Sequence, residues 1–157
     1  MPTISIRQAT LQDVEALVIL RLAFFVESLD VQPESIPALR DNTRRYFSKA
    51  IPEESFIAWV AEVQGEIVAT SGLVFFQRPP SEDNPNGLEA YILNMYTVPQ
   101  WRRMGIAAQL LERLIERAKQ TNAQRIWLRA TPDGKPLYEK RGFVPKTRHT
   151  LEMELCR

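Results

Sequence analysis

A strand, a basic turn and a helix follow one another without interruption over residues 90–120, and this unit constrains the fold more than any other part of the chain. Ala90 to Val98 is mostly apolar on both faces, which is typical of a strand in the middle of a sheet. Gly105 to Gln120 carries its apolar residues on one helical stripe. Because such a strand must be covered by other elements, the unit predicts an α/β fold.

The rest of the sequence predicts a mixed α/β domain with the element order β-α-α-β-β-β-α-β-α-β. Thr10 and Asp13 have the spacing of a capping box, and a helical spacing then runs through Val14, Leu17, Val18, Arg21, Leu22 and Phe25. The predicted elements are a strand over 4–8, helices over 11–28 and 38–50, strands over 55–63, 67–76 and 90–98, a helix over 105–120, a strand over 125–130, a short helix over 134–141, and closing strands over 144–155.

Length and composition favour a single domain over residues 1–157 that is large enough to bury its own core. The net charge is +1, so no global field attracts nucleic acid or an anionic membrane. One cysteine, Cys156, and one histidine make a transition-metal site improbable, and we expect no metal. The single cysteine favours a reducing, cytoplasmic location, and no apolar run predicts a signal peptide or a spanning helix.

The turn between the strand and the helix, Arg102 to Ala107, is predicted to bind an anion. The first turn of a helix presents backbone N–H groups without intrahelical partners, and the helix dipole adds partial positive charge. Gly105 lets the backbone approach a phosphate, and Arg102 and Arg103 add charge-assisted contacts. Neither the triphosphate pattern G-x-x-x-x-G-K-[ST] nor the dinucleotide pattern G-x-G-x-x-G occurs. The alternative is an ordinary basic turn with solvated arginines.

Three segments of the sequence resemble the GNAT superfamily of N-acetyltransferases. Arg102-Arg103-Met104-Gly105-Ile106-Ala107 matches the family pattern [RQ]-x-x-G-x-[GA], and Met95-Tyr96-Thr97-Val98-Pro99 is similar to the end of the strand that precedes it. Leu137-Tyr138-Glu139-Lys140-Arg141-Gly142-Phe143 is similar to a second pattern, L-Y-x-x-x-G-F. The predicted element order also resembles the GNAT fold, so the resemblance extends over nearly the whole chain.

The resemblance implies a site for acetyl-CoA as co-substrate. Backbone amides of the turn would hold the pyrophosphate, and the preceding strand would pair with the pantetheine arm. In the family this strand splays from the next one, here residues 125–130, and the arm enters the gap. The predicted cofactor-binding residues are Met95, Tyr96, Thr97, Val98, Arg102, Arg103, Met104, Gly105, Ile106, Ala107 and Ala108.

Tyr138 is the predicted catalytic acid, because the resemblance places it at the thioester sulfur and a neutral phenol can protonate a departing thiolate. The middle of the central strand has no carboxylate, so Glu89 at its start is the candidate base, acting through water. Asn94 and Tyr96 lie two residues apart and therefore on one face, where both can orient the acceptor without titrating. The resemblance adds Glu27, near the acceptor pocket, as a substrate-binding candidate.

These observations predict an N-acetyltransferase that moves an acetyl group from acetyl-CoA to a primary amine by direct attack in a ternary complex. The acceptor is a small-molecule or peptide amine, with neither nucleic acid nor membrane as a partner. The resemblance also makes a homodimer through the C-terminal strands possible. Two alternatives stay open: a catalytically degenerate module that binds acyl-CoA for regulation, and a structural domain that does not bind CoA.

Overall fold

The computed structural model describes residues 2–157 and contains five strands and four α-helices within that range. Short 3₁₀ turns precede the first two helices and follow the fourth strand. The elements are β1 (Ser5–Gln8), α1 (Val14–Ser28), α2 (Ile36–Ala50), β2 (Trp59–Val63), β3 (Glu66–Gln77), β4 (Leu88–Thr97), α3 (Ile106–Lys119), β5 (Arg125–Leu128) and α4 (Lys135–Lys140). The mixed α/β class is confirmed, and the order agrees with the prediction up to α4.

The five strands form one sheet in the order β1-β2-β3-β4-β5. Neighbouring strands are antiparallel except β4 and β5, which are parallel because α3 connects them. Neighbouring residues of β2 face opposite sides: Val60 packs with α1 and α2, whereas Ala61 packs with α3. The helices therefore cover both faces, and β4 lies between β3 and β5 with both of its faces in the core.

Local sequence explains where α1 and the β2–β3 hairpin begin. The Thr10 side chain accepts from the amide of Gln12, and the carboxylate of Asp13 accepts from the amide of Thr10 at 2.7 Å, which completes the predicted capping box. Arg7 of β1 donates two hydrogen bonds to Asp13, at 2.8 and 2.9 Å, and so fixes the helix to the sheet. In the hairpin, Gln64 and Gly65 both have positive φ, as a two-residue type I′ turn requires.

The closing strands predicted over 144–155 are not formed. Residues 143–157 have no regular secondary structure, and no described strand pairs with the free edge of β5. The alternation of Leu151, Met153 and Leu155 is strand-like, yet these side chains are 88%, 88% and 91% exposed. A strand needs a partner edge to satisfy its backbone groups, and this segment does not pair with the free edge of β5 within the described residues. The prediction was therefore wrong at this end of the chain.

None of the helices in residues 2–157 combines the length and the apolar character needed to cross a bilayer.

Candidate functional site

Strand β4 is paired on both edges only in its first half. Glu89–Ile92 pair with Arg125–Leu128 of β5, whereas pairing with β3 continues as far as Thr97. The edge of β4 over residues 93–97 that faces β5 thus has no strand partner among the described residues. Its backbone groups can pair with an extended ligand, in the manner of an added strand.

A bulge at Asn94 marks the boundary between the two halves of β4. Gly72 lies opposite Leu93 and Thr70 lies opposite Tyr96, so β4 has one residue more than β3 between these two pairs. Asn94 takes a left-handed conformation with φ of 60°, which accommodates the extra residue. The bulge turns the side chain of Asn94 toward α1.

The side chains of Asn94 and Tyr96 both reach α1, so the prediction that they share one face agrees with the structure. Arg21 donates to Oδ1 of Asn94 at 3.3 Å, and the hydroxyl of Tyr96 donates to Glu27 at 3.0 Å. Asn94 is only 4% exposed, and its Nδ2 has no acceptor among the described residues. A buried amide donor without a partner costs free energy, unless a ligand supplies the acceptor.

The turn before α3 presents a run of free backbone donors. In residues 2–157, no acceptor lies in hydrogen-bonding position for the six amides of 103–108; the first bond of the helix joins Gln109 N to Gly105 O at 3.2 Å. Gly105 precedes the helix with φ of 76°, and a Cβ added there would meet no atom within 4 Å. The space beside these amides is open, so the site fits the pyrophosphate group that the turn was predicted to hold.

The two arginines of the turn have different surroundings. Arg102 donates through Nε to the carbonyl of Thr97 at 2.8 Å, and its Nη1 lies 2.7 Å from a carboxylate oxygen of Glu27. This hydrogen bond from Arg102 is the main reason that the pKa of Glu27 lies below its usual value. Arg103 is exposed and forms no salt bridge with a described carboxylate. The structure therefore leaves Arg103 available to an anion, while Arg102 joins α1 to the end of β4.

Tyr138 lies on α4, in the apolar cluster that also contains Met95 of β4 and Leu128 of β5. These two residues lie on either side of the point where β4 and β5 separate. Tyr138 is 8% exposed, and burial raises the pKa of its phenol to about 12. The hydroxyl thus stays protonated at neutral pH, which is the state that a proton donor needs.

Glu89 lies at the other end of β4, about 17 Å along the strand from Asn94 at the usual rise per residue. It is buried between Arg78 Nε at 2.8 Å and Arg125 Nη1 at 3.1 Å. Burial acts to raise the pKa of Glu89, but the hydrogen bonds from both arginines outweigh it, and the net pKa is lowered. A carboxylate held in this way is a weak proton acceptor, and the structure does not bring it to the unpaired edge of β4.

The structure thus brings most of the predicted residues together at one end of β4: the strand segment 95–98, the turn 102–108, Asn94 and Glu27. Tyr138 approaches from the α3 side of the sheet. One residue of this region escaped the sequence prediction. Arg21 stood in an apolar helical stripe, and a cation at such a position was the signal that could have identified it.

Comparisons with known proteins agree with this arrangement. The family model described as the acetyltransferase (GNAT) family matches residues 20–143. A predicted acetyltransferase from Clostridium acetobutylicum, solved with acetyl-CoA, is 33% identical with a TM-score of 0.86, over 97% of this chain and 96% of that one. A GCN5-related N-acetyltransferase from Ralstonia eutropha JMP134 is 28% identical with a TM-score of 0.85, over 96% and 99%.

A more distant structure shares the fold alone. The glucosamine-6-phosphate N-acetyltransferase from Arabidopsis thaliana is 19% identical with a TM-score of 0.71, over 96% of this chain and 98% of that one. None of the curated protein sequences compared with the chain matches it.

Proposed function

The chain belongs to the GNAT family of acetyltransferases, and from this premise we propose that it transfers an acetyl group from acetyl-CoA to the primary amine of an acceptor. Acyl transfer from acetyl-CoA is the general activity of this family, and we propose a primary amine as the acceptor of the acetyl group. The observation that carries it is the run of six amides at 103–108 that have no acceptor within residues 2–157, next to the strand edge at 93–97 that has no strand partner there.

The part of the site that would bind acetyl-CoA consists mainly of backbone groups. The amides of Arg103 to Ala108 would hold the pyrophosphate, and Arg103 would add one charge-assisted contact. The free edge of Met95 to Val98 would pair with the pantetheine amides. Bound there, acetyl-CoA supplies an activated thioester whose carbonyl carbon accepts a nucleophile.

In the proposed reaction the amine attacks the thioester carbon directly, within a ternary complex. A C–N bond forms, the C–S bond breaks, and the thiolate leaves with the electron pair of that bond. The phenol of Tyr138 gives the departing sulfur its proton, and a backbone N–H near Met95–Tyr96 stabilises the oxyanion. The chain's one cysteine, Cys156, is exposed near the end of the chain, so a covalent acyl-enzyme on sulfur has no support.

The base that removes the amine proton has two candidates. Glu89 acting through water is the candidate from the sequence, and solvent water is the other. The double ion pair of Glu89 and its distance along β4 favour solvent water. An acceptor deprotonated by water would give a pH–rate profile whose acidic limb follows the pKa of the amine rather than that of a carboxylate.

We further propose that residues 1–157 form a single domain and that the protein is cytoplasmic; its length supports the first and its single cysteine the second. A homodimer is supported by the free edge of β5 and the exposed alternating segment Leu151 to Leu155, since one copy's segment can pair with another's edge. Sedimentation of the full chain and of a chain ending at residue 149 tests the dimer.

Release of free thiol from acetyl-CoA, measured over a panel of primary amines, tests the transfer reaction. We expect thiol release that depends on the amine and an acetylated product of the corresponding mass. Binding of CoA without amine-dependent thiol release would instead support the alternative, a regulatory module that binds acyl-CoA.

A further inference from the structure

Arg21 of α1 is a half-buried cation without a carboxylate partner among the described residues. Its described contacts are neutral: Nη1 donates to Oδ1 of Asn94 at 3.3 Å, and its guanidinium lies 4.5 Å from the ring centre of Phe25. Burial lowers the pKa of Arg21, but an arginine stays charged at neutral pH. The charge therefore remains uncompensated, which is costly away from water.

Arg21 lines a cavity of about 290 Å³ between α1, α2 and β4. It is the one charged side chain among the described residues of the lining, which is otherwise apolar except for Asn42, Thr43 and Tyr46. This volume is near the lower end of the range for small-molecule sites. The cavity suits a compact ligand with an apolar part and one negative charge.

The second observation is the free donor of Asn94. Its amide is buried at 4% exposure, holds Arg21 through Oδ1, and leaves Nδ2 without an acceptor. The bulge that places this amide beside Arg21 also begins the unpaired edge of β4. Unused donors of two side chains therefore lie next to the segment where the thioester is proposed to bind.

We propose that Arg21 binds a carboxylate group of the acceptor, so that the substrate is a small amine that also carries a carboxylate. This inference rests on the proposed function, because it names the substrate class of the same site. The fork of the guanidinium matches the two oxygens of a carboxylate. Asn94 lies outside the lining of the cavity and positions Arg21 through its Oδ1. The amine of the substrate is then directed toward the free edge of β4.

A carboxylate fits this cavity better than a phosphate does. The lining supplies one positive charge, which balances a carboxylate, whereas a phosphate monoester carries nearly two negative charges at neutral pH. The turn before α3 packs on the face of the sheet that α3 covers, opposite the cavity, and its amides are assigned to the pyrophosphate of acetyl-CoA. One guanidinium therefore selects a monoanion.

Matched pairs of acceptors test the proposal: each α-amino acid against its carboxamide, and aminoethyl phosphate against ethanolamine, by thiol release from acetyl-CoA. We expect at least one acid to exceed its amide in kcat/KM by about 10- to 100-fold, the value of a hydrogen-bonded charge pair. The comparison is conservative, because the amine of the amide is less basic and more of it is free to attack. Arg21→Met should remove the preference, and Arg21→Lys should keep part of it.

Arg40→Met is the matched control, since Arg40 is an exposed residue of α2 outside the cavity and should keep the preference. No acid–amide difference in the unchanged protein, an unchanged difference in Arg21→Met, or a stronger preference for the phosphate ester would each overturn the proposal. If no amine causes thiol release, the proposed acetyl transfer is refuted, but the carboxylate site can still be tested by binding. Calorimetric binding of the same acids to the CoA-loaded protein then decides: binding lost in Arg21→Met supports the carboxylate site, and equal or absent binding overturns it.

Discussion

The two halves of strand β4 both pair with β3, but they differ in whether their other edge and their polar side chains have partners. In the first half, Glu89–Ile92 pair on both edges, and the carboxylate of Glu89 has two arginine partners. Within residues 2–157, the second half has one edge without a strand partner, Nδ2 of Asn94 has no acceptor, and Arg21 of α1, which contacts Asn94, has no carboxylate partner. We therefore expect the first half to contribute to stability, and we have proposed that the polar groups of the second half bind ligands. Substitutions in the first half should therefore lower the free energy of unfolding, whereas substitutions around the second half should lower activity without unfolding the protein.

The largest effect is expected beside the second half of β4, for Tyr138→Phe on α4, in the apolar cluster that also contains Met95. Removing the hydroxyl removes the proposed proton donor while keeping the ring that packs against Phe143, so kcat should fall about 100-fold or more. The melting temperature should change little. Steady-state kinetics and thermal unfolding measure both quantities, with Tyr91→Phe as the control. An unchanged kcat at every pH would remove Tyr138 from the mechanism.

The pH profile sharpens the same assignment. The phenol is active when protonated, and its pKa is about 12, so the activity that it supplies is present below that value and lost only as the pH rises through it. With a saturating acceptor, kcat should show no alkaline decline up to about pH 10. A decline with an apparent pKa near 9 that disappears in Tyr138→Phe would contradict the raised pKa.

In the first half of β4, the variant Glu89→Gln should lose stability and keep its activity. Losing the charge leaves Arg78 and Arg125 without their shared partner; because both arginines are partly exposed, we expect a loss of about 2 kcal/mol in the free energy of unfolding. The kcat of the folded fraction should stay within about twofold. Glu66→Gln, at an exposed residue without a salt bridge, is the control for urea unfolding. A much lower kcat at unchanged stability would instead support Glu89 as the base.

A smaller effect should distinguish the two arginines of the turn. Arg103→Met should weaken CoA binding about tenfold, because one charge-assisted contact is lost, whereas Arg102→Met should weaken it less than about threefold. Arg102 is already occupied by Glu27, so its loss should mainly loosen the contact between α1 and β4. Titration calorimetry with CoA compares the two variants directly. The reverse ranking would mean that Arg102 leaves Glu27 when the ligand binds.

The same contrast explains what the sequence could predict. The part of the site that consists of backbone amides has a local sequence pattern. The strand, turn and helix that form it were predicted from the apolar run of β4, Gly105 and the apolar stripe of α3. Groups built from side chains of distant elements do not. The ion pairs of Glu89 join residues 11 and 36 positions away, and Arg21 meets Asn94 across 73 positions. The bulge at Asn94 depends on the register with β3, which no local pattern encodes.

At the end of the chain, a local pattern predicted a strand that the structure does not form. The alternation of Leu151, Met153 and Leu155 is a valid strand pattern, but alternation alone does not determine whether the segment pairs with an edge, and it does not pair with the free edge of β5 within the described residues. Likewise Arg102 and Arg103 are equivalent in sequence, and only the position of Glu27 on α1 separates their roles.

Calorimetric titration of CoA into the unchanged protein, Gly105→Glu and Gly65→Glu tests the central claim most directly. Both glycines have positive φ and open space around the site of an added Cβ, so the two substitutions carry the same backbone strain and the same added charge. We predict equal affinity for the unchanged protein and Gly65→Glu, and about 100-fold or weaker binding for Gly105→Glu, because its carboxylate meets the pyrophosphate. Absence of CoA binding to the unchanged protein, or affinities of the two variants within about threefold of each other, would contradict a pyrophosphate site at the start of α3.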